Sequence, residues 1–173
     1  MDAAESVADW GYDVYLELFQ EPDLLASASK ESDVVYRLFA IPTFTNPLMI
    51  KIERQGAEYL VTSKTLSGQG GYDPGHLQVV RKHFIAPRDW HRFQDLLRKA
   101  SFWLLPSEDT RFQLSSKGGG LVCLDGSTWL LEGLENGQYH AVERYCPELP
   151  KFEYCGLFLL KISRLEIPYD NMY

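Results

Sequence analysis

Basic residues are almost missing from the front of this chain. Residues 1–33 contain nine acids (Asp2, Glu5, Asp9, Asp13, Glu17, Glu21, Asp23, Glu31 and Asp33) against one base, Lys30. The segment therefore carries −8 in a chain whose total is −7, and the remainder is close to neutral at +1. Nothing here resembles the basic stripe that non-specific nucleic-acid binding requires. Long apolar runs are missing too. A strongly apolar run such as "CGLFLLKI", residues 155–162, is too short and too interrupted to span a bilayer, so no membrane role is expected. The first residues, "MDAAESVADWGYD", show neither the basic nor the apolar region of a secretory signal. A cytoplasmic protein is the default expectation.

Cysteine is scarce. Three thiols (Cys123, Cys146 and Cys155) cannot all pair within one chain, and free buried thiols in a reducing compartment are the simplest expectation. The four histidines at 76, 83, 91 and 140 form no H-E-x-x-H and no short cluster with cysteine, so no metal site is expected. There is no G-x-S-x-G. The glycine-rich stretch "SGQGGYDPG", residues 67–75, is followed by no G-K-[ST]. It makes a poor phosphate cradle and reads as a connection that needs positive φ. No catalytic set and no cofactor follow from these residues.

What is present describes a packed domain. A chain of 173 residues buries roughly 70% of its extended surface, enough for a core without staples. Trp10, Val14, Tyr15, Leu18 and Phe19 recur at helical spacing, which predicts an amphipathic helix over residues 9–20. "VVYRLFAI" predicts a first strand, ended at Pro42. "LMIKIER" sets Met49, Lys51 and Glu53 against Leu48, Ile50 and Ile52, the period of a half-buried strand. After the Gln55-Gly56 turn, "AEYLVTSKTL" returns with Tyr59 and Val61 on one face. Pro87 and Asp89 suit a helix N-terminus, and Trp90, Phe93, Leu97 and Ala100 give that helix a buried stripe. "RFQL", residues 111–114, fits a short strand. A last helix, "KFEYCGLFLLKISRLE", is predicted to run until Pro168 stops it, and its Gly156 costs stability unless a close contact needs a missing side chain.

The fold class expected is α+β: a mostly antiparallel sheet of about six to eight strands with two or three helices packed on it. Residues 34–173 form the α+β domain. Residues 1–33 form an acidic N-terminal helical segment packed on the same domain. That segment could steer a basic partner, or could simply be a solvated surface that keeps the protein soluble.

The densest stretch is "DGSTWLLEGLENGQYHAVERYCP", residues 125–147. Asn136-Gly137 predicts a type I′ hairpin turn, with Leu134 opposite Tyr139, Gly133 opposite His140, Leu131 opposite Val142 and Trp129 opposite Arg144. One face then carries Trp129, Gly133, His140 and Arg144, with room for His140 above Gly133 and Arg144 placed to lie over the Trp129 ring. The other carries Glu132, Tyr139 and Glu143, where two carboxylates could divide acid and base roles. Such residues are ordinarily structural. Ligand recognition is the alternative, with Trp129, Glu132, His140, Arg144 and Tyr139 as the binding candidates.

Taken with "SGQGGYDPG" and "APRDWHRFQDLLRKASFWLLP", this stretch resembles a family of uncharacterised bacterial proteins over roughly residues 35–165. The resemblance implies a single α+β domain of bacterial origin and attaches no activity to it. The positions that carry it are Gly70, Gly71, Asp125, Gly126, Trp129, Glu132, Gly133, Tyr139, His140, Arg144 and Pro147. Two functions stay open: a non-enzymatic interaction protein, such as an immunity-type inhibitor of a bacterial toxin, or a small-molecule binder or hydrolase built on the 129–144 hairpin. The partner expected is another protein or a second copy of the chain, with a small ligand as the alternative.

Overall fold

The structure, a computed structural model, describes residues 5–27, 34–108, 126–146 and 150–167. The expected strand at 111–114, together with Cys123, Asp125 and Pro147, lies outside the described residues. Six strands form one antiparallel sheet: β1 (Val34–Pro42), β2 (Leu48–Gln55), β3 (Glu58–Leu66), β4 (Leu77–Ile85), β5 (Ser127–Glu135) and β6 (Gln138–Tyr145). Their order is β4-β3-β2-β1-β5-β6. The chain meanders through four strands, then returns to place β5 against the free side of β1, pairing Val34 with Glu135 and Pro42 with Ser127.

Two long helices, α3 (Pro87–Ala100) and α4 (Pro150–Ile162), cover one face. In α3 the predicted stripe is the buried one, with Trp90, Phe93, Leu97 and Ala100 in the core and Arg88, Arg92, Asp95 and Lys99 in water or near it. Trp90 stacks on Tyr59 with centroids 4.1 Å apart. Helix α4 is shorter than its sequence suggests. It ends at Ile162, well before Pro168, because the buried Ser163 turns the chain back to the sheet. Ser163 Oγ donates to Leu160 O at 2.7 Å, Ser163 O accepts from Ser63 Oγ at 3.0 Å, and Arg164 takes a positive φ.

The other face is covered by the N-terminal segment, which is not one continuous helix. Gly11, with a φ of 88°, kinks the π-helical turn Ala8–Tyr12 that leads into a short α1, Asp13–Leu18, before the single turn α2, Leu24–Ser27. That break resets the helical phase, so Val14 faces solvent while Leu16 and Phe19 are buried. Val7, Leu16 and Phe19 pack on Phe39, Met49, Leu66 and Leu130. Strand β2 is consequently buried on both sides over Leu48–Ile50, rather than half-buried as its alternation implies. Of the cysteines, Cys155 is a free buried thiol, but Cys146 is disulfide-bonded, which corrects the expectation of three free thiols.

Candidate functional site

The β5–β6 hairpin has the register its turn demands. Asn136 and Gly137 take φ of 54° and 74°, both positive as a type I′ turn requires, and all four predicted cross-strand pairs form. Its polar residues do not converge. Trp129, His140 and Arg144 point toward the long helices, while Glu132 and Tyr139 point toward the N-terminal segment.

Each of the five is engaged in packing one layer on another. Trp129 is fully buried beneath α4, and a methyl group at Gly156 would overlap its ring. This is the close contact that a helix-interior glycine needs. His140 Nε2 lies 3.0 Å from Leu105 O, with its ring edge-on to Phe102. Burial lowers its pKa, the backbone contacts of Leu105 and Phe102 oppose that, and nearby Arg144 adds to it. The depression expected above Gly133 is filled by Tyr36, whose Cε1 would lie 2.6 Å from a methyl there. Arg144 sits over Phe152 at 5.7 Å and donates to Pro106 O at 2.8 Å, so the stacking expected on Trp129 is replaced by one on α4.

Glu132 is fully buried and accepts from Arg37 Nε at 2.7 Å and from the Tyr139 hydroxyl at 3.0 Å. Burial pushes its carboxyl up, and Arg37 and Tyr139 oppose this without cancelling it. Arg37 belongs to a larger network that sequence reasoning missed. Its Nη1 donates to Pro22 O at 2.8 Å and lies 3.5 Å from Glu21. Glu21 also binds Lys64 at 2.6 Å and Lys51 at 2.9 Å, while Lys64 donates to Phe19 O at 2.6 Å. Burial alone would raise Glu21, but the two lysines outweigh it and hold its pKa below the usual carboxylate value. The signal was present in the sequence as Arg37 inside the apolar run "VVYRLFAI" and Lys64 after the uncharged "YLVTS". A base at an inward position asks for a buried carboxylate.

The polar residues that stay open to solvent lie elsewhere. Where the N-terminal segment meets the end of β6 there is a groove of about 690 Å³, lined by Glu5, Asp9, Glu108 and Glu143 with Trp10 and Tyr145. Burial raises the Tyr12 pKa, and the nearby Glu143 carboxylate raises it further. Trp10 Nε1 donates to Glu5 at 3.2 Å, and Asp9 accepts from Ser6 N–H at 2.8 Å. Among the described residues, none of these four carboxylates is paired with a lysine or arginine. Acids beside aromatic rings, with no base between them, attract a cationic side chain. Also among the described residues, no cluster of His, Cys, Asp and Glu is arranged as metal ligands, and no helix is long and apolar enough to cross a membrane. Compared with protein-family models, curated proteins and solved structures, the chain matches none.

Proposed function

We propose that this protein is a non-enzymatic interaction module that binds the basic face of a protein partner, in the manner of an immunity-type inhibitor masking a bacterial toxin. The observation that carries the proposal is the acidic, aromatic-lined groove, set on an N-terminal layer that is itself pinned to the sheet. A surface held rigid in this way loses little entropy on binding. Its unneutralised acids raise the association rate with a basic partner and select against acidic ones. The alternative, a ligand site or hydrolase on the hairpin, is not favoured by side chains that point to opposite faces and spend their polar atoms on the protein itself. The Cys146 disulfide favours an oxidising compartment over the reducing cytoplasm expected from free thiols.

The test separates steering acids from structural ones. Glu5, Asp9, Asp13 and Glu17 are exposed and can be neutralised together, whereas Glu21 must be left intact because it anchors the layer. The wild-type chain is expected to retain one basic partner at about 50 mM salt, in a one-to-one complex, and to release it at about 500 mM. The neutralised variant should lose most of that affinity. Equal retention by the two proteins at both salt concentrations would refute the proposal.

A further inference from the structure

A second feature lies at the end of the sheet where β1 stops and β2 begins. The loop at 43–47 and the glycine-rich loop at 67–76 run side by side there, with Gly71 N–H donating to Thr43 O at 3.1 Å and Gly70 N–H to Thr45 O at 3.2 Å. The approach is too close for side chains: a methyl at Gly70 would lie 2.6 Å from Pro42 O, and one at Gly71 2.9 Å from Thr43 O. This contact brings Phe44 and Tyr72 together as a stacked pair, centroids 5.8 Å apart and planes at 26°. They are 48% and 72% exposed. Two stacked aromatics left in water do nothing for the core and form a ready platform for a partner.

Contacts join this platform to the acidic groove on both sides. On one side, Thr43 donates from both its N–H and its Oγ1 to Gly126 O, and Gly126 N–H donates to the hydroxyl of Tyr145, which lines the groove. On the other, the Tyr15 hydroxyl donates to Gly70 O at 2.9 Å, Tyr15 lies against Tyr12, and Tyr12 is close enough to Glu143 of the groove to feel its charge. No lysine or arginine occurs in residues 5–27, 41–47 or 67–76. The aromatic pair therefore sits beside the exposed Asp73 on loops that carry no lysine or arginine of their own, while Arg81 of β4 lines a separate cavity with Thr45 and Asn46.

We infer that Phe44 and Tyr72 form the anchor for an arginine-bearing loop of a basic protein partner, one guanidinium stacking on the pair while neighbouring cations reach the groove. The inference rests on the proposed function and deepens it. It assigns the specificity to arginine, whose flat guanidinium stacks on aromatic faces, over lysine, whose compact ammonium does not.

The test uses the full chain and two fluorescein-labelled twelve-residue peptides, one alternating Arg with Gly and one alternating Lys with Gly, read by anisotropy. The wild-type chain is expected to bind the arginine peptide about five-fold more tightly than the lysine peptide, the gain expected of guanidinium stacking. The double variant Phe44→Ser/Tyr72→Ser, which alters exposed side chains only, should remove that preference and leave lysine-peptide binding within about two-fold. The inference is overturned if the wild-type chain binds neither peptide or shows no arginine preference, or if the double variant keeps it. A separate variant, Glu5→Gln/Asp13→Asn/Glu108→Gln, should weaken both peptides alike. If it changes neither while Phe44→Ser/Tyr72→Ser still abolishes the arginine preference, the charge reading fails and the aromatic anchor stands.

Discussion

On the face covered by α3 and α4, almost everything that meets the sheet is apolar: Phe93, Phe152 and Leu159 lie in one cluster with Leu38, Ile50 and Trp129. On the opposite face, Val7, Leu16 and Phe19 supply a smaller apolar patch, and beside it lie Arg37, Lys51 and Lys64 with Glu21 and Glu132. The first face is sealed by area, which is non-directional and tolerates small shifts. The second is sealed by charges whose desolvation is offset only when their geometry is right. A short segment with little apolar area and a broken helix is thereby held in one position. The exposed acids of that segment then have a rigid support.

The comparison is broken most severely at Arg37. Replacing it with Met leaves Glu132 buried without its partner and is expected to cost about 3–5 kcal/mol in urea unfolding. Replacing Arg37 and Glu132 together by Met should recover most of that loss, because no lone charge remains. A single Arg37→Met cost below about 1 kcal/mol would mean that water reaches the network. The apolar face has a weaker counterpart. Gly156→Ala favours helix intrinsically by about 1 kcal/mol, but the overlap with Trp129 should win and leave the protein less stable by about 1–3 kcal/mol. Thermal unfolding would register this as a lowered Tm.

Acid sharpens the contrast. The Glu21 pKa is lowered on folding, so its contribution is complete above the usual carboxylate value and is lost as pH falls through the lowered one. The Glu132 pKa is raised, and its protonation on acidification acts in the opposite sense. Glu21→Gln should therefore destabilise at neutral pH and flatten the loss of stability below about pH 4.5, measured by chemical unfolding across pH. An unchanged pH profile would remove Glu21 from the network. The smallest effect belongs to the exposed rim. Glu17→Gln should alter stability by less than about 0.5 kcal/mol, since Glu17 is solvated. Cys155 offers an independent check on the helix-covered face. Burial pushes its thiol up to about 12, so iodoacetamide should spare it in the folded protein and modify it on unfolding.

Local pattern carried much of this molecule. The stripe of α3 and the register of the hairpin follow from spacings of three or four residues and from Asn136-Gly137, interactions that close within one element. The groove was less legible. Its acids Glu5 and Asp9 could be counted, but Glu143 and Tyr145 join them only after folding, and Glu143 had been read as a companion of Glu132. The break at Gly11 and the early end of α4 were missed because a helical period persists through both, while the bonds that stop it come from distant residues. What the sequence by itself determined was strands β1, β2 and β3, the buried stripe of α3 and the register of the β5–β6 hairpin, since those depend on near neighbours. What only the tertiary structure decided was that β5 lies beside β1, and so that Arg37 meets Glu132. A pair 95 residues apart is set by the path of the whole chain and leaves no local period to detect.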